Sequence, residues 1–299
     1  MSYNLGNIST GNFQSYGSNK EPGLFSGTKE FLNSNSIIAK IAFLLLVLIV
    51  FVYVLRFGVS SLGYLMSPSS APILLDGMID ANNMMIIPQN PALENSIPVL
   101  RSTDQQFGVE FTWSVWVYIQ NLNPDNQYKH IFHKGNDNID FGNGSTGLNF
   151  PNNAPGLYIT PNTNNLLIIM NTFNDINDEV TVSDIPLNKW LNIMIRVKNT
   201  TLDVYINGTI VKRHNLVGVP KQNYGDVFVA MNGGFNGYIS SLRYWNYALG
   251  VGRIESVVNS GPNMKMKHGD DLHASKPHYF SLRWFFNNDN ATNMDYGAL

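Results

Sequence analysis

Beyond residue 93 the chain alternates apolar and polar residues with a period of two, and turn residues interrupt it at short intervals. That period places every second side chain on one face of a strand. "FTWSVWVYI" (111–119) puts Phe111, Trp113, Val115, Val117 and Ile119 on one face, and Thr112, Ser114, Trp116 and Tyr118 on the other. "WLNIMIRVKN" (190–199) turns Leu191, Ile193, Ile195 and Val197 inward. "TLDVYIN" (201–207) does the same with Leu202, Val204 and Ile206, and the register continues to Ile210. "KHIFHKG" (129–135), "GLYITP" (156–161), "NLLIIMNTF" (165–173), "DVFVAMN" (226–232) and "FNGYISSLRYWNYAL" (235–249) supply further strands. "GVGRIESVVNSG" (250–261) is a short helix, stopped by Gly261-Pro262. Many short strands without intervening helices predict an all-β fold, an antiparallel sandwich or jelly roll.

The pattern is different at residues 37–57, "IIAKIAFLLLVLIVFVYVLRF". This run is apolar on every face, unlike an amphipathic core helix. It starts too far into the chain for a signal peptide. It predicts one transmembrane helix, with Lys40 and Arg56 as flanks reaching for the headgroups. "GVSSLGYLM" extends the apolar character, so the exit point lies between 57 and 66. Lys20, Lys29 and Lys40 on the N-terminal side favour a cytoplasmic N-terminus in a single-pass protein of the lipid bilayer. The expected organisation is a flexible polar tail (1–36), the membrane helix (37–57, or to 66), a linker (67–92) holding a first strand in "NMMIIPQ", the jelly roll (93–261) and a C-terminal extension (262–299). "KPHYFSLRWFF" (276–286) in that extension reads as an extra strand or a docking segment. "GLFSGTKEFL" (23–32) reads as a short amphipathic turn.

Composition narrows the chemistry. Charged residues make up only 13% of the 299, and the formal net charge is −2. Nothing there suits nucleic acid. There is no Cys, which removes disulfides, thiolate metal sites and Cys nucleophiles. Neither a phosphate-binding loop nor a nucleophile elbow occurs.

Three stretches together carry a resemblance. "PLNKWLNIMIRVKNTTLDVYINGTIVKR" (186–213) opens a strand at Trp190 and turns at Asn207-Gly208. "FNGYISSLRYWNYALGVGRIESVV" (235–258) has Phe235, Gly237, Trp245, Asn246, Ala248, Leu249 and Glu255 in order, and "FGVEFTWSVWVYI" precedes both. The chain resembles the laminin-G-like and pentraxin-like jelly rolls of the concanavalin A-like lectin/glucanase superfamily. Asn-Gly suits a type I′ turn, which needs positive φ at both central residues. Gly237 spares a side chain where a strand re-enters the sheet. Trp190 and Trp245 are expected as plugs sealing the sandwich ends.

The resemblance implies a binding or structural role, with a glycan or protein partner at the jelly roll. Hydrolysis is not expected, because the paired carboxylates of the glycanase branch are missing from any one strand. Calcium is implied as a cofactor, with Asp137, Asn138 and Asp140 as candidate ligands and Asp175, Asp178 and Glu179 as a second loop. His130 and His133, three apart on one strand, are expected on opposite faces, one packed and one solvated. His268, Asp270, Asp271, His273 and His278 read as a solvated loop. In style the chain also resembles membrane-associated proteins of large DNA viruses. That implies a virion membrane or minor capsid component assembled into a larger structure.

Overall fold

The computed structural model describes residues 36–267, apart from 94, 103–104, 107, 123–124, 141 and 143–145. The segments 23–32 and 276–286, and the residues from His268 onward, lie outside the described residues.

Among the described residues the first unit is one helix, α1 (Ile37–Met66), thirty residues of almost uniformly apolar sequence. Residues Ile37–Leu65 are long and apolar enough to cross a membrane, so α1 is a candidate span. The helix does not stop at Arg56. That residue lies inside it, because "GVSSLGYLM" holds no helix breaker strong enough to end the run.

The second unit is an antiparallel sandwich. Its strands are β1 (Met78–Asp80), β2 (Met85–Ile87), β3 (Glu110–Ile119), β4 (Lys129–Gly135), β5 (Gly156–Ile159), β6 (Leu166–Met170), β7 (Asp178–Val182), β8 (Trp190–Lys198), β9 (Thr201–Ile206), β10 (Thr209–Asn215), β11 (Asp226–Val229) and β12 (Gly237–Trp245). One six-stranded sheet runs β1-β12-β3-β8-β9-β10, and the other runs β2-β11-β4-β5-β6-β7. The expected inward residues of β3, β8 and β9 meet in one core, where Trp113 packs on Phe132 and Tyr244 with ring centroids 5.3 and 4.8 Å apart. Ile210 does not join them. β10 is an edge strand with a bulge between Ile210 and Lys212, and Ile210 is exposed.

Each sheet also buries part of its outer face, which simple alternation does not foresee. On the first sheet, α2 (Val251–Ser260) lays Ile254 and Val257 over Met194, Trp245 and Leu249. Thr112 Oγ1 fixes the strand-to-helix turn, donating to the Tyr247 carbonyl and accepting from Leu249 N–H. On the second sheet, the strap of residues 136–155 covers Tyr158, Leu167 and Ile169 with its own Leu148.

β1 and β7 were not foreseen as strands. β1 gains a partner from the C-terminal extension, where Met266 bridges Met78 in parallel. The extra strand expected at 276–286 lies outside the described residues. β7 forms because Val180 and Val182 point into the core.

Candidate binding site

One end of the sandwich gathers aromatic rings and amides. β3 ends there, and β8 and β12 begin there. Cross-strand pairing sets Tyr118 opposite both Trp190 and Tyr238. The three rings form a row on the outer face of the first sheet, with centroids 5.6 Å apart for Tyr118–Trp190 and 6.2 Å for Tyr118–Tyr238. All three are half-buried. The row lies beyond the reach of the cluster under α2, whose covered side chains are Met194 and Trp245.

The loops at this end of the sandwich carry side-chain amides. Asn236 Nδ2 donates to Asn121 Oδ1 at 2.9 Å, and Asn162 Nδ2 donates to Asn126 Oδ1. Asn126 and Asn162 both hold left-handed backbone, with φ of 56° each, which Asn tolerates better than most residues. Asn121, Asn162 and Asn236 line a shallow, open depression together with Gln127, Lys129 and Thr160. Lys129 is paired with Asp125, so the depression holds little uncompensated charge. Burial pushes the Asp125 carboxyl up, but its hydrogen bonds to Lys129 and to Gln127 N–H bring it below the usual range.

The residues expected from sequence fall in several places. Trp190 belongs to the aromatic row and is not an end plug. Its ring stands on the outer face because β8 begins there with that side outward. Trp245 is a plug, but between sheet and α2. Asn207 and Gly208 have φ of 49° and 82°, as a type I′ turn needs. Asn207 does more than turn: its Oδ1 accepts from Asn192 N–H at 2.8 Å. Gly237 has φ of 154°, and a Cβ there would sit 1.9 Å from the Tyr118 carbonyl oxygen.

The candidate calcium ligands lie at the start of the strap. Asp140 Oδ1 accepts from Gly142 N–H at 2.7 Å, closing a local turn. Asp137 and Asn138 are exposed. In the second loop Asp178 is drawn into β7 and buried, bound to His214 Nε2 and Val217 N–H, both at 2.7 Å. Among the described residues, no group of three His, Asp or Glu stands ready to hold a metal.

His130 and His133 differ most from expectation. β4 bulges between His130 and Phe132, so Ile131 and Phe132 both enter the core and the two histidines share the outer face. Both are buried beneath the strap, with ring nitrogens 2.6 Å apart. Burial lowers both rings, His130 well below the usual range and His133 to about 4.

The family model described as the concanavalin A-like lectin/glucanases superfamily, of the laminin-G type, matches residues 96–255. No curated protein matches. Similar solved structures include the binding domain of botulinum neurotoxin DC in complex with rat synaptotagmin II, at 17% identity and TM-score 0.39. Another is the receptor binding domain of botulinum neurotoxin type G, at 15% identity and TM-score 0.38. The matches cover 51% and 54% of this chain but only 36% and 41% of those chains. At that identity and coverage they carry nothing about ligand. The family match spans more than half of the sequence, and the chain belongs to the concanavalin A-like lectin/glucanases superfamily.

Proposed function

We propose that the sandwich is a non-catalytic glycan-binding module, held at a bilayer by α1. The observation that carries this reading is the row Tyr118–Trp190–Tyr238 together with the loop amides of Asn121, Asn126, Asn162 and Asn236. Aromatic faces accept the C–H faces of sugar rings, and an amide both donates to and accepts from hydroxyls. A depression with little net charge favours a neutral, hydroxyl-rich ligand over an ionic one.

The two buried carboxylates among the described residues are engaged in structural pairs. Glycoside hydrolysis needs two carboxyl groups flanking one bond. Here buried Asp203 is forked between Arg196 and Arg213, and buried Asp178 is bound to His214 and a backbone amide. Neither is poised beside a second acid at the aromatic end.

A glycan array probed with the full chain in detergent, with and without a calcium chelator, tests the reading. We expect binding to neutral glycans, weakened by Trp190→Ala. Uniform absence of binding would sink it. Calcium dependence would restore the role of Asp137, Asn138 and Asp140 in the strap.

A second reading, assembly with a protein partner, has its own observation. At the opposite end of the second sheet, Phe173, Ile176, Val217 and Val219 expose apolar side chains on two loops tied together by Phe173 N–H to the Val219 carbonyl. A virion membrane or capsid component would use such a patch as its contact. Cross-linking from Phe173 without glycan binding would favour this second reading.

A further inference from the structure

The hydrogen bonds through the two buried histidines have a fixed direction. Met231 N–H points at His130 Nδ1 at 3.0 Å, and a backbone N–H can only donate. His130 must then carry its proton on Nε2 and donate it to His133 Nδ1, 2.6 Å away. His133 in turn donates from Nε2 to the Asn136 carbonyl oxygen at 2.7 Å, and a carbonyl can only accept. All four ring nitrogens are committed, and both rings are neutral. One more proton has nowhere to go. On His130 Nδ1 it would face Met231 N–H, and on His133 Nδ1 it would face His130 Nε2–H.

The surroundings offer no relief. The His133 ring lies flat on Phe228 of β11, with centroids 4.9 Å apart and planes 7° apart. The His130 ring meets Tyr158 of β5 edge-on at 5.3 Å. The Tyr158 hydroxyl is already used, donating to Asn153 Oδ1 at 2.6 Å and accepting from Asn149 N–H. Lys134, next on β4, turns its ammonium to the carbonyls of Gly225 and Asn223, with Asp226 the nearest opposite charge. Asp137 is the carboxylate whose charge reaches His133, and it is exposed to water.

We propose that His130 and His133 form a proton-released latch that holds two loops to β4. At one end the latch grips the turn 230–236 through Met231. At the other it grips the strap 136–155 through Asn136. Protonation of either ring sets donor against donor, at Met231 N–H or between the rings, and puts a charge in a buried site; the charged pair then opens to water and carries both grips with it. Phe235 and Asn236 sit on the gripped turn and line the depression of the aromatic end. The consequence that acid dismantles the glycan site rests on the binding reading above; the latch itself does not.

Hydrogen exchange of the full chain in detergent at pH 7.5 and pH 5.0, corrected for intrinsic rates, tests the latch. Below the ordinary histidine value of about 6.5, each proton taken up on opening multiplies the open population tenfold per pH unit. Protection in the strap and the turn should fall about 30-fold by pH 5.0 for one proton, and about 1,000-fold for two. Amides at the centre of β3 and β8, which open only with the whole fold, should stay better protected than the two loops at both pH values. The double variant His130→Gln, His133→Gln should show no such pH dependence. Should that variant not fold, nitrogen-15 spectra of the wild-type histidines decide, with both rings neutral and protonated on Nε2 at pH 6. Equal protection at both pH values, the same acid loss in the double variant, or a charged ring at pH 6 would each overturn the latch. Loops that open at pH 5.0 while glycan stays bound would instead remove the aromatic end as the site and leave the latch standing.

Discussion

His130 Nε2 lies 2.6 Å from His133 Nδ1, although a regular strand would put the two on opposite faces. One inserted residue at the β4 bulge rotates His130 onto the side of His133. The pair makes global stability fall in acid. The folded rings resist protonation, while the unfolded chain takes protons near the usual value of about 6.5. The contribution is therefore complete above pH 6.5 and is lost as pH falls toward the folded value of about 4 for His133. Urea unfolding at pH 7.5 and 5.0 should differ by about 2 kcal/mol for each histidine. Equal midpoints would contradict the assignment.

Asp203 should be a costly position. It is buried, and both oxygens are used: Arg213 Nε donates to one at 2.6 Å, and Arg196 Nη1 donates to the other at 3.1 Å. Asp203→Asn leaves Arg196 without its counter-charge and should cost about 3 kcal/mol in chemical denaturation. Arg213→Ala should cost much less, because that side chain is mostly exposed to water.

Two turn positions should separate by size of effect. Gly237→Ala drives a Cβ into the Tyr118 carbonyl oxygen at a φ other residues avoid, and should prevent stable folding. Asn207→Ala keeps the chain path but loses the cap on Asn192 N–H and a residue tolerant of positive φ. A loss of about 1–2 kcal/mol in thermal melts is expected. Unchanged stability with lost ligand binding would make Asn207 a contact residue instead.

At the aromatic end, Tyr238→Ala and Trp190→Ala should each weaken glycan binding by about tenfold or more, by analogy with the value of one stacked aromatic. The melting temperature should move little, because both rings are only half-buried. A large drop in melting temperature would mark the row as structural.

For α1, the distribution of Lys predicts a sandwich on the far side of the membrane. In sealed microsomes, protease should spare the sandwich until detergent is added. Digestion without detergent would reverse the topology.

Much of the fold was legible in the residues. Periodicity placed β3, β8, β9 and α2 nearly to the residue, since strand alternation and helix stops are local properties of the chain. Asn207-Gly208 and Gly237 could be read because positive φ and close backbone approach select those residue types directly. The aromatic end was legible only as a surplus of Asn and aromatic residues. Tyr118, Trp190 and Tyr238 are far apart in sequence, and strand pairing alone makes them neighbours.

By itself the sequence determined that the chain pairs an apolar helix with an antiparallel sandwich, because both depend on patterns repeated along a few residues. Only the tertiary structure decided which outer faces were covered, where β4 bulged, and how Trp190 was presented. Each of those depends on what another part of the chain lays against the strand. A bulge that moves one histidine across a sheet leaves no mark in a three-residue spacing, yet it joins His130 to His133.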